Sequence, residues 1–238
     1  MLEISHLTKY FGDKCAVRDL TITLQRGEIC AFIGHNGAGK TTTLKSIVGL
    51  LPIEEGEIYI DGVSVKENPT ECKRLLAYIP DNPDMYEFLS GSQYLNFVAN
   101  IFGVPANIRD ERIATLASRF EMKENLPKPI QSYSHGMKQK LALISAFMHE
   151  PRLILMDEPF VGLDPKASFI LKEMMRDHCK RGGTIFFSTH VLDVAEKLCD
   201  RVAIIQEGAL ARIGDMESVK GDASLEEVFL RMAGEDFD

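Results

Sequence analysis

A glycine-rich segment followed by a lysine has the residue types of a loop that binds phosphate. GHNGAGKT, residues 34–41, fits the pattern GxxxxGK[ST] and lies between the apolar run ICAFI and a run with helical spacing. Glycines allow successive backbone N–H groups to curve around an anion, and the N-terminus of the following helix adds partial positive charge. Lys40 can bridge the terminal phosphates and the Thr41 hydroxyl can ligate Mg²⁺, roles that the alternative, an ordinary glycine-rich turn, would not supply. We expect the following residues to bind the nucleotide: Gly34, His35, Asn36, Gly37, Ala38, Gly39, Lys40, Thr41 and Thr42.

Two carboxylates follow an apolar run later in the chain, where a buried strand would end. In the stretch LILMDEP these are Asp157 and Glu158. Beside a phosphate-binding loop, the first can hold Mg²⁺ or its waters, and the second can polarise water in line with the γ-phosphate. The alternative is that Asp157 caps the next turn and that Glu158 is solvated. The loop favours the first interpretation, in which Thr41 and Asp157 bind the metal and Glu158 is catalytic.

A third stretch, SYSHGMKQK at residues 132–140, places a serine before a cationic run with helical spacing. The Ser134 hydroxyl can cap a helix that runs from about Gly136, so that the hydroxyl and the helix N-terminus form a second anion site. A plain helix cap would use Ser134 equally well. The residues alone therefore leave both interpretations open.

The elements that position these residues follow from the periodicity of the apolar residues. Short strand-like runs dominate up to about residue 80, helical spacing dominates between about 82 and 131, and three strand-like runs then alternate with helical stretches. This order predicts an α/β fold in a single domain over residues 1–238, with a helical subdomain at about 82–150 inserted in the core. Near the end, the spacing of apolar residues in SLEEVFLRM predicts an amphipathic helix, and the acidic tail GEDFD is predicted to fray.

The composition excludes several classes of protein. Of the 238 residues, 27 are Lys or Arg and 35 are Asp or Glu, which gives a formal net charge of −8. Because no dense basic block occurs, we expect no nucleic-acid partner. The apolar runs are strand-length and the N-terminus lacks a signal-peptide core, so we expect a cytoplasmic protein. Five scattered cysteines without a CxxC pair predict reduced thiols rather than a structural zinc site.

Six motifs in this order resemble those of the ATP-binding subunits of ATP-binding cassette (ABC) transporters, over nearly the whole chain. GHNGAGKT is similar to their Walker A motif, LILMDE to Walker B, SYSHGMKQK to the signature and GLDP, residues 162–165, to the D-loop. His190 resembles the switch histidine, and Phe11 lies where the family stacks an aromatic ring on adenine. The resemblance implies a P-loop NTPase fold of the ABC type, with a mixed-sheet RecA-like core, an antiparallel β subdomain and a helical subdomain.

The resemblance also implies an activity, cofactors and partners. It implies ATP hydrolysis with Mg²⁺, coupled to transport, in a chain that docks on integral membrane permease subunits at the inner face of the membrane. Two cassettes, in a homodimer or a heterodimer, would bind head to tail, with Ser134, Gly136 and Asp164 contacting the partner's ATP. His190 would sense the γ-phosphate. Local alternatives are a core position for Phe11, a structural cap for His190 and a turn before Pro165 for Asp164.

The chain departs from the family pattern at two places. The usual signature is LSGGQ, and here it is YSHGM, with His135 and Met137 at substituted positions. We expect a retained site with altered contacts, in which His135 has a negative φ. The glutamine expected after the strand LLAYI and its proline is replaced by Asp81, which can still contact Mg²⁺ but cannot donate a hydrogen bond.

Three functions are consistent with these motifs. The first is the ATPase subunit of a transporter, with export favoured because LTKYFG, PDNPDMYEFL and YSHGM resemble exporter-type cassettes. The second is a soluble cassette ATPase that acts on ribosomes or DNA, and the third is a regulatory ATP site with little hydrolysis. The apolar cluster in DMYEFLS would suit docking of a membrane partner, with ordinary packing as an equal alternative.

Overall fold

Two β-sheets and the helices packed on them form the part of the chain, residues 1–232, that the computed structural model describes. The strands, in chain order, are β1 (Leu2–Phe11), β2 (Lys14–Leu24), β3 (Ile29–Ile33), β4 (Glu55–Ile60), β5 (Val63–Ser64), β6 (Leu76–Ile79), β7 (Leu153–Asp157), β8 (Thr184–Thr189), β9 (Arg201–Gln206) and β10 (Ala209–Asp215). The helices are α1 (Lys40–Ile47), α2 (Pro69–Leu75), α3 (Gly91–Ile101), α4 (Ala106–Arg119), α5 (His135–Met148), α6 (Pro165–Lys180), α7 (Leu192–Leu198), α8 (Met216–Lys220) and α9 (Leu225–Met232).

One sheet is antiparallel and the other is mixed. The antiparallel sheet has the order β2-β1-β4-β5, and the second has the order β10-β9-β3-β8-β7-β6. In the second sheet every pair is parallel except that of β10 with β9. The predicted fold class, an α/β core with a mixed sheet and an antiparallel β subdomain, is confirmed.

The mixed sheet is apolar on both faces, which explains why its central strands are continuous hydrophobic runs rather than alternating ones. Every residue of β3, β7 and β8 is buried. Alternate residues point to opposite sides: Ala31 and Ile33 belong to the core shared with the helices, whereas Cys30 and Phe32 belong to the core shared with α1 and the antiparallel sheet. The strands are therefore fixed in register from both faces.

The carboxyl ends of these three parallel strands lie at one edge of the sheet. Ile33 of β3 pairs with Thr189 of β8, and Asp157 of β7 pairs with Ser188. The chain leaves β3 into the loop at residues 34–39, leaves β7 at Glu158 and leaves β8 into His190. Ligands of open α/β sheets bind at this edge, so the strand register brings the predicted phosphate loop and both carboxylates together.

The helical stretch between β6 and β7 contains α3, α4 and α5. A capping box starts α3, in which the Ser90 hydroxyl accepts from Gln93 N and the Gln93 side chain accepts from Ser90 N. We propose from this placement that residues from about 82 to 150 form one helical subdomain inserted in a single domain. The prediction of a frayed tail concerns residues outside the described part of the chain.

Some boundaries differ from the sequence prediction. The helical spacing of apolar residues after the phosphate loop predicts a helix that ends at Pro52, but α1 ends at Ile47 because Gly49 adopts a left-handed φ of 71° just beyond it. The short helix α2 and the strand β10 were not predicted. The amphipathic C-terminal helix is confirmed as α9, which buries Leu225, Val228 and Phe229.

All five cysteines are free thiols in this fold. Within residues 1–232, each helix is either too short or too polar to cross a bilayer.

His178 is a buried titratable group on α6, with 4% of its surface exposed. Burial, with smaller contributions from Arg181 and His149, lowers the pKa of His178 to about 4 from an ordinary value of 6.5. The neutral ring is therefore the form that the fold accommodates. Its Nε2 lies against Gly183 and has no hydrogen-bond partner among residues 1–232.

We predict that the chain becomes less stable as pH falls from 6.5 towards 4. In this window the unfolded chain binds a proton at His178 that the folded chain does not, so unfolding takes up a proton. The effect reaches roughly 3 kcal/mol near pH 4, from about 1.4 kcal/mol per pKa unit. Urea unfolding of the wild type and of His178→Gln between pH 7 and 4 measures it. A pH dependence that is as steep in the variant as in the wild type would contradict the assignment.

Candidate nucleotide-binding site

The loop at residues 34–39 is held so close to neighbouring backbone that two of its glycines cannot be replaced without a shift. Gly39 has a φ of 110°, and a Cβ there would lie 2.6 Å from the carbonyl oxygen of Ala16. A Cβ on Gly34 would lie 2.6 Å from the carbonyl oxygen of Ile205. The loop is thus fixed between β2 and β9, and its amides are oriented before a ligand arrives.

Lys40 is the buried cation of the site, with 7% of its surface exposed. Its Nζ donates to the carbonyl oxygens of Gly34 at 2.6 Å and His35 at 3.2 Å, and lies 4.0 Å from Glu158 Oε1. Burial lowers the pKa of Lys40, and the carboxylates of Glu158 and Asp157 act in the opposite direction. The ammonium therefore sits at the loop, with two of its three N–H groups on loop carbonyls and one left for a phosphate oxygen.

Asp157 is bound by hydroxyl groups from two directions. The Thr41 hydroxyl donates to Asp157 Oδ2 at 2.6 Å, and the Ser188 hydroxyl donates to Asp157 Oδ1. A threonine hydroxyl beside a carboxylate, next to a phosphate loop, is a set of hard oxygen ligands that fits Mg²⁺. The predicted pair of metal ligands, Thr41 and Asp157, is therefore adjacent in the structure.

Glu158 lies between Lys40 and His190, the residue that follows β8. Its Oε2 is 2.9 Å from His190 Nδ1 and accepts from the His190 backbone N at 3.3 Å. Glu158 has a left-handed φ of 48°, a conformation that is rare outside glycine, and its backbone N donates to the hydroxyl of Ser188 at 3.0 Å. The carboxylate is thus held at the edge of the site from the backbone as well as from its tip.

These groups surround a cavity of about 340 Å³. Its lining consists of Phe11, Lys14, Ala16, Asn36, Gly37, Gly39, Lys40, Thr41, Thr42, Asp81, Asp157 and Glu158. Phe11 is half exposed and pairs with Lys14 across the two-residue turn between β1 and β2. Three carboxylates face two ammonium groups here, so a bound triphosphate would need a divalent cation to balance its charge. Asp81, where the resemblance implies a glutamine, lines this cavity.

The three residues expected to contact a partner's ATP lie outside this cavity. They are Ser134, Gly136 and Asp164, and none of them is among the described residues that line it. Ser134 caps α5, its hydroxyl accepting from Met137 N at 3.3 Å. A Cβ on Gly136 would lie 2.7 Å from the carbonyl oxygen of Gly162. The signature and D-loop segments therefore touch each other within one chain.

Each carboxylate oxygen of Asp164 has a partner inside its own chain. Its Oδ1 accepts from Ala167 N at 2.8 Å as the cap of α6, and its Oδ2 pairs with Lys140 Nζ at 2.6 Å. The hydrogen bond from Lys140 lowers the pKa of Asp164. His135, whose φ is negative as expected, packs its ring against Gly162.

Three of the loop residues predicted to bind nucleotide do not line the cavity. Gly34, His35 and Ala38 are outside the described lining of the cavity. The ring of His35 instead lies 4.6 Å, centroid to centroid, from the ring of Phe229 on α9.

Sequence reasoning missed two residues of the site. Ser188 supports both carboxylates, and its signal was a polar residue directly after the apolar residues IFF. Lys14 enters the cavity because of strand pairing, which local spacing does not reveal. Tyr78 lines a different cavity; burial, with smaller contributions from Asp157 and Asp81, raises the pKa of its hydroxyl.

Comparison with known proteins agrees with this geometry. The family model described as "ABC transporter" matches residues 17–161. The ABC-type transporter ATP-binding protein EcsA of Bacillus subtilis (strain 168) is 33% identical, over 99% of this chain and 98% of its own length. The chain belongs to the ABC transporter family.

Solved structures extend the comparison to the fold. One described as the ATP-binding subunit of an ABC transporter is 35% identical, with a TM-score of 0.95 over 98% of this chain and 99% of its own. A dimeric ATP-binding cassette in a post-hydrolysis state with ADP and phosphate has a TM-score of 0.82 over 91% of this chain and 99% of its own; at 21% identity it shows the fold alone. The predictions of an ATP-binding transporter subunit with ATPase activity are confirmed.

We predict that Gly39→Ala destabilises the nucleotide-free chain more than Gly37→Ala. Both glycines have positive φ, 110° at Gly39 and 82° at Gly37, but a Cβ at Gly37 would meet no atom of the described residues within 4 Å. The strained backbone alone costs roughly 1–2 kcal/mol, whereas overlap with the Ala16 oxygen raises the cost at Gly39 to about 3 kcal/mol or more. Urea unfolding without nucleotide measures both. Equal destabilisation would show that the loop is not held against β2.

Proposed function

We propose that this subunit hydrolyses Mg-ATP at the cavity described above, with Glu158 as the general base and His190 as the residue that holds it. The observation that carries this assignment is the position of the Glu158 carboxylate, 4.0 Å from Lys40 Nζ and 2.9 Å from His190 Nδ1. A carboxylate in this place can accept a proton from water that attacks the γ-phosphate, and Lys40 can stabilise the charge on the phosphoryl oxygens.

Mg²⁺ would be held by Thr41 and Asp157, with Asp81 near enough in the cavity to contact its waters. When bound, this ion neutralises charge on the β- and γ-phosphates. The residues of the chain do the positioning: Ser188 orients Asp157, and Phe11 offers its exposed ring to the adenine base. Gly34, Asn36, Gly37, Ala38, Gly39 and Thr42 would bind the phosphates through backbone and hydroxyl groups, and His35 through its backbone.

We further propose that two cassettes, identical or related, close on ATP head to tail. The N-terminus of α5, with the exposed Ser134 hydroxyl, lies outside the cavity of its own chain, so it is available to the nucleotide of a partner. The solved cassette of the same fold is dimeric, which supports pairing but does not by itself give the orientation. Asp164 would have to contact the partner while it remains paired with Lys140.

The membrane partner would dock on an exposed aromatic cluster formed by Tyr86, Phe88 and Phe97. Tyr86 lies 6.0 Å from Phe88 and 5.6 Å from Phe97, ring to ring, and all three rings are exposed, Phe88 by 78%. Exposed clusters of this kind mark interaction sites. We propose that the cluster binds integral permease subunits, which places the chain at the inner face of the membrane.

Export is the direction that the exporter-like motifs favour. Cells that lack the subunit should then accumulate the transported compound, whereas depletion of that compound inside such cells would point to import.

We predict that Glu158→Gln lowers ATP turnover about 10²–10⁴-fold, the usual contribution of a general base, while ATP still binds. The amide keeps the size of the side chain but cannot take up a proton at neutral pH. Steady-state phosphate release and filter binding of labelled ATP measure the two effects, with the exposed Glu124→Gln as the control. Wild-type turnover in Glu158→Gln would refute the base assignment.

The same variant tests dimerisation. If Glu158→Gln forms a stable dimer with Mg-ATP, head-to-tail closure is supported; if it stays strictly monomeric, closure is refuted.

We predict that Phe88→Ala weakens association with the membrane subunits about tenfold, as truncation of a central aromatic contact does. ATPase activity of the isolated subunit should be unchanged because the ring lies outside the ATP cavity. Co-purification from detergent-solubilised membranes measures the association, with Phe169→Ala as the control, because Phe169 is also an exposed aromatic residue but lies outside the cluster. Recovery of the wild-type chain with ribosomes or DNA instead of a polytopic protein would contradict the transporter assignment of this surface.

A further inference from the structure

A helix at the end of the described chain packs on the phosphate loop. The ring of Phe229 on α9 lies 4.6 Å from the ring of His35, with an angle of 45° between the planes. Phe229 is 8% exposed, and its helix buries Leu225 and Val228 in the same core, so the ring is fixed. The residue His35 itself is exposed. The distance lies in the range at which aromatic rings attract each other.

The backbone of His35 holds the cation of the ATP site. Its carbonyl oxygen accepts from Lys40 Nζ at 3.2 Å and from Ala38 N at 3.1 Å. Because the ring and the carbonyl belong to one residue, a force that moves the ring also moves an oxygen bonded to the ammonium. A short covalent path therefore leads from α9 to Lys40.

The other end of α9 is attached to the segment that follows His190. Glu196 on α7 accepts from the backbone N of Leu225 at 2.9 Å and from Lys220 Nζ at 2.7 Å. The hydrogen bond from Lys220 is the main cause of the lowered pKa of Glu196. Helix α7 begins two residues after His190, which contacts Glu158. Helix α9 therefore connects the phosphate loop to α7.

We propose that Phe229 and His35 are a positioning pair that fixes Lys40 for ATP, and that α9 braces the phosphate loop against α7. The proposal rests on the role given above to Lys40 at the triphosphate. Neither ring acts on ATP; Phe229 holds the His35 ring, and the His35 carbonyl holds the ammonium in place. The predicted effect is on ATP affinity and on turnover together, and it exceeds what loss of stability alone would produce.

The test compares variants with similar structural cost. His35→Ala removes the ring from an exposed loop position, where folding is not at risk, and Phe229→Leu removes the ring but keeps an apolar side chain in the core. Val228→Ala is the matched control, because it also truncates a buried residue of α9 but lacks the ring contact with His35. His35→Phe retains an aromatic ring and serves as the rescue variant.

Equilibrium binding of labelled ATP to the full chain, KM and kcat for hydrolysis, and the thermal midpoint are measured for each variant. We expect His35→Ala and Phe229→Leu each to weaken ATP binding about threefold to tenfold, the range for loss of an aromatic pair, and the double variant to be no weaker than either. His35→Phe should bind ATP like the wild type. Val228→Ala should lower the thermal midpoint without changing ATP affinity.

Several outcomes would contradict the proposal that Phe229 and His35 position Lys40. Unchanged ATP affinity in His35→Ala would do so, as would additive losses in the double variant or an equal loss of affinity in Val228→Ala. The variant Lys40→Ala separates this failure from that of the proposed function. If Lys40→Ala binds ATP like the wild type, the role of Lys40 is wrong; if it loses ATP while the ring variants keep it, only the positioning pair is wrong.

Discussion

The buried ammonium of Lys40 is the charge on which the arrangement of this site depends. A cation removed from water is tolerated only where dipoles and opposite charges replace the lost hydration. Here two loop carbonyls and the carboxylate of Glu158 provide that replacement. The loop must therefore be rigid, and the carboxyl ends of β3 and β7, on either side of β8, must lie at the same edge of the sheet. Close backbone contacts at Gly34 and Gly39 and the burial of both strands meet these requirements.

The two carboxylates differ in what holds them, and this difference fits their separate roles. Asp157 is bound by two hydroxyl groups from β8 and α1, which leaves it a fixed acceptor suited to a metal. The carboxylate of Glu158 instead contacts His190, the first residue of the segment that follows β8. One carboxylate is thus part of the rigid sheet edge, whereas the position of the other depends on how the segment after β8 is placed.

The sequence allowed the local parts of this site to be predicted, because each is encoded within a few residues. The run GHNGAGKT specifies a turn, a charge and a helix start together, and LILMDE specifies a buried strand that ends in acids. Contacts between distant segments were not predictable in this way. Lys14 reaches the cavity through strand pairing, and the rings of His35 and Phe229 are 194 positions apart in the chain. Helix α1 ends early because Gly49 adopts a left-handed conformation, which cannot be predicted from the spacing of apolar residues.

The cavity takes its walls from two different sheets, and this division has a thermodynamic consequence. Phe11 and Lys14 come from the antiparallel sheet, whereas the loop and the carboxylates follow strands of the mixed sheet. A nucleotide that touches both walls is a non-covalent cross-link between two layers of the protein. By mass action, ligand at one hundred times its dissociation constant adds about 2.7 kcal/mol against any opening that separates the layers. Cellular ATP would in this way suppress the partial unfolding of the β1–β2 hairpin and slow the exchange of its amide hydrogens with solvent.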